Sequence, residues 1–378
     1  PVLDLLDMPA NPQLFNRSFG ENPARVAELG AAMIDGYQRQ GIAATAKHFP
    51  GLGDCTIDSH HDLPVVDLSV ARLEARALVP FRAAVAAGVR LVMTAHVRYP
   101  RLDSRVPATH SLVIVRQLLK ERLGFTGTVV TDALEMGAMR RLGLARAVLA
   151  AITAGCDLAL VCTPQRQCLE VMGEVAAGMA AVPADRLDDA AGRLTALRDW
   201  IADRSPPLPP PPAATLVAEI ATRAVAVASD RMGVLPLPMS APLRVLRVVP
   251  EMLSPVAVSR LPAVTVLADV LRDAGYRVTV DEQAHPGGAP DPAEVSILLV
   301  RNLFMDPTSA RTWHEILKEG GRWVIVSLGA PADFPDIPPS AAWIQAADDG
   351  AASLAAVGRV LTGGMRATGI PANSKKEG

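Results

Sequence analysis

Two rhythms of apolar and polar positions alternate along the first half of this chain. Short apolar runs fall at residues 2–6, 42–46, 91–97, 128–131 and 157–162. Stretches with helical spacing lie between or after them, at 23–40, 69–87, 111–123, 145–154 and 185–201. The punctuation agrees. Asn22-Pro23 is a helix-start signal, and Gly41, Gly88, Gly124 and Gly155 each follow the end of a helical stretch. Strands that are apolar throughout and alternate with helices predict a parallel α/β fold with a buried sheet.

Residues 205–212 read Ser-Pro-Pro-Leu-Pro-Pro-Pro-Pro, which cannot continue a helix and predicts a stiff connector. The α/β rhythm then resumes, with helices at 216–226, 265–274 and 310–319 and strands at 243–249, 277–280, 296–300 and 323–328. The expected organisation is therefore a first domain over 1–204, a Pro-rich linker over 205–214 and a second α/β, sandwich-like domain over 215–378.

Chemistry-capable side chains follow the strands of the first domain at their C-terminal ends: Lys47 and His48, His96, and Asp132. A (β/α)8 barrel of the TIM type carries its active site on that edge. An open doubly wound sheet would gather the same residues at one crevice. No Gly-rich phosphate fingerprint follows any strand, which argues against a nucleotide site. A closed barrel needs eight strands and this segment supports about five or six. The chain also opens directly on the run Val2-Leu3-Asp4-Leu5-Leu6. Both features lead to the expectation of an N-terminally incomplete TIM barrel with residues missing upstream.

Composition narrows the partners. The 378 residues are 50% apolar and 20% charged, with a net charge of −2. No basic cluster is dense enough to track phosphates, and aromatics make up only 4%, so nucleic acid is not an expected partner. No apolar run approaches the roughly 20 residues that span a bilayer. The four cysteines form no C-x-x-C pair, and Cys156 and Cys162 read as small core residues.

Individual residues admit more than one reading. Asp132, in Gly127-Thr-Val-Val-Thr-Asp132-Ala-Leu-Glu-Met-Gly137, is placed either to attack an electrophilic carbon or to cap a helix. Asp58 and His60 lie in an aperiodic loop. A carboxylate that orients an imidazole makes it a proton carrier near neutral pH, whereas the plain reading is an Asx-turn. Lys47 at the end of an apolar strand needs hydroxyl or carboxylate partners, which a polyhydroxylated ligand or a neighbouring Asp would supply. Arg17 lies just after the first strand, and His96 fits either a core or a site. A zinc cluster drawn from His48, His60, His61, His96 and Asp132 has the right donor types, but the spacing lacks H-x-H and H-E-x-x-H, and Lys47 would repel a dication.

Taken in order, the stretches PVLDLLD, NRSFGENP, AATAKHFPGLGDCTIDSHHDLP, VMTAHVRYP, GFTGTVVTDALEMGAM and AAITAGCDLALV resemble the β-N-acetylhexosaminidase branch of glycoside hydrolase family 3. They cover about residues 1–165. Residues 215–371 resemble the second domain of its two-domain members. The resemblance implies retaining hydrolysis of terminal β-linked N-acetylglucosamine, in saccharides or muropeptides derived from peptidoglycan, without metal or organic cofactor. It implies Asp132 as nucleophile and His60 as acid/base with Asp58 as its partner. Arg17, Lys47 and His48 fall on sugar-binding positions, and His96 is added as a substrate-side residue. The family's earlier D-x-E-G-G-x-V-x-R-like segment, with a further sugar-binding Asp, is not found. Leu52 stands where the family often has a second His, which implies altered recognition of the leaving group. A β-glucosidase or xylosidase of the same family, an N-acetylglucosaminide phosphorylase and a non-catalytic sugar-binding remnant are the alternatives.

Overall fold

The computed structural model describes residues 1–8, 11–14, 17–204, 213–248, 264–281, 293–301, 303, 306–329, 337–346, 348–369 and 371. The chain divides into two compact units, Pro1–Pro209 and Pro210–Gly378. Most of the expected linker, 205–212, lies outside the described residues.

Unit 1 is built on four parallel strands in the order β1-β2-β3-β4. These are β1 (Thr45–Phe49), β2 (Leu91–Thr94), β3 (Thr128–Ala133) and β4 (Leu158–Leu160). Among the described residues they form an open sheet, and no closed barrel is present. The run at 2–6 does not become a full strand. Only Val2 bridges, in parallel, to Lys47, which sets the N-terminal segment beside β1. The interior is apolar and fully enclosed, with Leu3, Phe49, Phe81, Ile114 and Val129 in one cluster.

The helices follow their local signals. Helix α1 (Pro23–Arg39) starts where the Asn22 side chain accepts from the amides of Ala24 and Arg25, and Pro23 occupies a position that needs no donor. The single helix expected over 69–87 is two, α2 (Val70–Ala75) and α3 (Leu78–Ala86). Pro80 is the reason, because it cannot donate to the Arg76 carbonyl and its ring would clash there. Residues Val113–Arg122 form a helix of π type, and α4 (Leu144–Ala154) ends at Gly155, whose φ of +118° suits glycine. Helix α5 (Gln165–Gly178) was not expected. Its sequence does carry apolar residues at helical spacing, Cys168, Val171, Met172, Val175 and Ala176, although none of them is fully buried. Helix α6 (Ala184–Ala202) closes the unit.

One core assignment changes. Cys156 is buried, but Cys162 is exposed, because β4 stops two residues earlier at the sheet edge. All four cysteines are free thiols.

Unit 2 is a three-layer α/β sandwich. Its sheet has six strands, β5 (Ala226–Ser229), β6 (Leu243–Val248), β7 (Val278–Asp281), β8 (Val295–Val300), β9 (Arg322–Leu328) and β10 (Ala341–Ala346). Their order is β5-β10-β9-β8-β6-β7, all parallel except β5 against β10. Strand β8 is buried along its whole length, as a central parallel strand should be. Helices α7 (Ala213–Ala224), α8 (Thr265–Asp273) and α10 (Ala351–Leu361) pack on one face, and α9 (Pro307–Lys318) packs on the other through Trp313 and Leu317. Among the described residues no helix is long and apolar enough to cross a membrane.

Candidate active site

The C-terminal edge of the unit 1 sheet brings together most of the residues singled out from the sequence. Strand β3 delivers Asp132 one residue before its end. The carboxyl is about one-fifth exposed. Its Oδ1 accepts from the Ala133 amide at 2.8 Å, and its Oδ2 lies 3.8 Å from His48 Nε2. Burial alone would push this carboxyl up. His48, His96, the Ala133 amide and Lys47 outweigh burial and hold it below the usual carboxylate range. Asp132 is thus ionised and partly open, as a nucleophilic carboxylate must be.

Strand β1 delivers Lys47 and His48 through consecutive positions. The Lys47–His48 and Phe49–Pro50 peptide bonds are cis. The His48 ring is held from behind by Asp4, a residue that sequence reasoning did not select. Asp4 is fully buried and accepts from the His48 amide at 3.0 Å, from His48 Nδ1 at 2.7 Å and from the Leu52 amide at 2.7 Å. A carboxylate only accepts, so His48 Nδ1 carries a proton and Nε2 is turned toward Asp132. The available signal was Asp4 itself, a charge embedded in an apolar run, which must find donors once buried. Leu52 packs its side chain into the apolar core, so its side chain does not line the site.

The loop after β1 carries the second half of the constellation. His60 Nδ1 lies 2.6 Å from Asp58 Oδ1, and the His60 amide donates to the same oxygen at 2.9 Å. Asp58 therefore fixes the ring with Nδ1 protonated, leaving Nε2 to exchange a proton. The His60 side chain is about one-quarter exposed and Asp58 is buried. The loop is docked onto the segment that follows Asp132. The Gly137 amide donates to the His60 carbonyl at 3.0 Å, and the Ala138 amide to the Ser59 carbonyl at 3.1 Å. Gly137 makes this approach possible, because a Cβ there would sit 2.3 Å from the His61 carbonyl oxygen. Gln13, also not anticipated, pins the loop from the other side. It accepts from Ser59 Oγ at 2.6 Å and donates to the Ile57 carbonyl at 2.9 Å.

Arg17 reaches the same region. Its guanidinium donates to the Gln13 carbonyl. Burial pulls it down from its ordinary value, while the charges of Asp4, Asp132 and Asp58 pull the other way. One arginine therefore feels all three carboxylates. His96 is different. Nε2 donates to the Ala133 carbonyl at 3.0 Å, and Nδ1 accepts from the Thr109 hydroxyl at 2.8 Å. Burial holds the ring neutral. With both nitrogens engaged, His96 braces the backbone beside Asp132 and presents no open nitrogen. Of the histidines weighed as zinc ligands, His61 is exposed. Among the described residues no three His, Cys, Asp or Glu side chains are placed to hold a metal ion.

Comparison with known proteins places this arrangement. Residues 1–197 match the glycosyl hydrolase family 3 N-terminal domain. The chain is similar to a beta-hexosaminidase of Thiobacillus denitrificans, 42% identical over 176 residues, which cover 46% of this chain and 48% of the relative. It is similar to a beta-N-acetylglucosaminidase/beta-glucosidase of Cellulomonas fimi, 33% identical over 315 residues, which cover 76% of this chain and 54% of the relative. The chain spans about half the length of these curated relatives. Among solved structures it superposes on a family 3 beta-N-acetylglucosaminidase of Paenibacillus sp. FPU-7 with a TM-score of 0.87 and 30% identity, covering 98% of this chain and 75% of that one. The chain belongs to glycosyl hydrolase family 3.

Proposed function

We infer that this chain is a retaining glycosidase that removes terminal β-linked N-acetylglucosamine, with peptidoglycan-derived saccharides and muropeptides as its substrate class. One observation carries the reading. The loop with the Asp58–His60 pair is bonded through the His60 carbonyl to Gly137, on the segment that leaves the Asp132 strand. A proton carrier and an ionised carboxylate are thereby tied to one edge of one sheet. The parallel strands, with their reactive residues at the C-terminal ends, are read as an arc of a (β/α)8 barrel wall.

The chemistry follows from the two side chains. Asp132 Oδ attacks the anomeric carbon. The C1–O bond to the leaving group breaks, and its electron pair goes to the leaving oxygen, which takes a proton from His60 Nε2. A glycosyl ester of Asp132 results. Water then gives a proton to the neutral His60 Nε2 and attacks C1, and the ester bond returns its electron pair to Asp132. Retaining glycosidases usually divide these roles between two carboxylates. Here Asp58 turns an imidazole into the second group by fixing its tautomer, as a buried carboxylate does for other catalytic histidines. Arg17, Lys47 and His48 surround Asp132 with donors for sugar hydroxyls. Asp4 is the positioning residue behind His48.

Release of 4-nitrophenol from the N-acetyl-β-glucosaminide tests this directly, with the glucoside as the comparison. Turnover of the N-acetylglucosaminide is expected, with loss in Asp132→Ala. His60→Ala should slow substrates with poor leaving groups most, because they need the proton. Full turnover in Asp132→Ala would end the assignment.

A further inference from the structure

A cavity of about 400 Å³ opens on the same edge of unit 1, beyond the His60 loop. Its walls include Asp62 and Leu63 from that loop, Arg98 and His110 from the segment after β2, and Met139 and Arg141 from the segment after Asp132. Two arginines share this wall. Arg98 Nε is shut off from solvent with no hydrogen-bond partner. Neither guanidinium has an ion pair or hydrogen bond among the described residues. The cavity at the opposite edge of the sheet shows the contrast. There Arg116 pairs with Glu121, Lys120 and Arg186 with Asp157, and Arg193 with Asp189. That cavity has its charges matched and needs no ligand. In the cavity beside the His60 loop, Asp62 is the only carboxylate in the wall, and its Oδ1 already accepts from the Leu63 amide at 2.8 Å. His110 donates Nε2 to the Ala147 carbonyl and adds no charge. The wall is left with a surplus of cationic donors: Arg98 is half-buried with its Nε enclosed and unpartnered, and the exposed Arg141 offers a second guanidinium with no carboxylate against it.

We propose that Arg98 and Arg141 form an anion subsite that recognises a carboxylate or phosphate on the leaving portion of the substrate. The placement supports this. His60 protonates the leaving oxygen, so the leaving portion extends past His60, and this cavity shares that loop. The volume is within the range that holds a sugar-sized group. The subsite rests on the reading of Asp132 and His60 given above, and it adds the two residues that select among leaving groups.

The test uses two near-isosteric substrates that differ by one charge, 4-carboxyphenyl and 4-carbamoylphenyl N-acetyl-β-glucosaminide. The expected KM for the carboxylate is about tenfold lower, equivalent to about 1.4 kcal/mol. Added salt should erode this advantage. In the Arg98→Gln/Arg141→Gln double variant the ratio of the two KM values should fall to about one. Equal KM values in the unaltered chain, or a preference that survives in the double variant, would overturn the subsite. If neither compound is hydrolysed, the glycosidase reading fails separately, and calorimetry with the carboxyphenyl thioglycoside takes over. Binding that is lost in the double variant supports the subsite, and no difference between the two proteins sinks it. Inorganic phosphate separates the two possible sources of the anion. Competition with the carboxylated substrate alone is expected. Saturable phosphate binding that leaves both KM values untouched would make this a free-anion site and end the leaving-group assignment.

Discussion

The two edges of the unit 1 sheet treat charge in opposite ways. At the N-terminal edge Asp157 is enclosed and fully answered. Its Oδ1 accepts from Lys120 Nζ at 2.8 Å and Arg186 Nη2 at 2.6 Å, and its Oδ2 from the Val129 amide at 2.8 Å. Asp189 joins Lys120, Arg186 and Arg193 to the same network. At the C-terminal edge Asp132 has one backbone donor, a histidine at 3.8 Å and an opening to solvent. The closed edge ties α6 and the helix Val113–Arg122 to the starts of β3 and β4. The open edge keeps hydrogen-bonding capacity that the protein itself does not fill. Matched charges at one edge serve stability, and the incomplete pairing at the other is what the proposed chemistry needs.

Exchanging single carboxylates breaks this comparison most sharply. Asp132→Ala should lower kcat/KM by about 10⁴-fold or more, with little change in the urea midpoint. Asp157→Ala should do the reverse. It leaves Lys120 and Arg186 with Asp189 as their remaining partner and the Val129 amide without its acceptor, so a stability loss of about 2–3 kcal/mol is expected, with kcat nearly intact in the fraction that remains folded. Urea titration and initial rates on the same preparations separate the two. A large loss of rate with unchanged stability in Asp157→Ala would show that the edges are not independent.

Asp4→Asn sharpens the picture within the open edge. The side chain keeps its shape but loses its charge, so His48 is held less firmly and Asp132 loses part of its stabilisation. We expect kcat to fall about 10²-fold, as a small misplacement of a site group does. KM should change much less. The acid limb of kcat/KM should move to higher pH, because the hold of His48 on the ionised Asp132 weakens. A purely structural role for Asp4 would lower stability without moving that limb.

Legibility in the sequence follows the same division. The strand ends with Lys47, His48, His96 and Asp132 could be read because each reactive residue interrupts or closes an apolar run. Asp4 could not be assigned, because its donors come from residues 48 and 52, far along the chain. The same holds for Gln13, whose partners are Ile57 and Ser59. The split of α2 from α3 had a local cause in Pro80. Helix α5 also had one, the apolar spacing of Cys168, Val171, Met172, Val175 and Ala176, which the expected elements left out. In unit 2 the Ala-rich β10 lacks the β-branched pattern that marked β8, and the short β5 is absent from the expected elements, which carry the preceding helix on to Ala226. The arginine pair at 98 and 141 carried no local signal either. Only the fold brings them to one cavity.

The smallest expected effect is on the pH dependence of stability, and it comes from a histidine near the open edge. Burial and the neighbouring His96 lower His110 to about 4, although its hydrogen bond to the Ala147 carbonyl opposes them. Unfolded histidine titrates near 6.5. Above that value both states hold a neutral ring, and the native state keeps its full stability. As pH falls from 6.5 toward 4, the unfolded chain binds a proton that the folded chain refuses. Stability should then fall by about 1.4 kcal/mol per pH unit for this one group. The buried His96 is shifted in the same direction and adds to the slope. The carboxylates held below their ordinary values, Asp132 and Asp189 among them, act only at lower pH. Asp54, whose carboxyl burial and Asp7 push up, acts with the opposite sign at the acid end of this window, so the His110 share is read from the difference between the chain and its variant. Urea unfolding at half-unit steps of pH should show a slope across the window, and His110→Gln should flatten that slope by about one proton. An unchanged slope in the variant would mean that the folded chain protonates His110 as readily as the unfolded one. Burial would then not be holding a neutral ring.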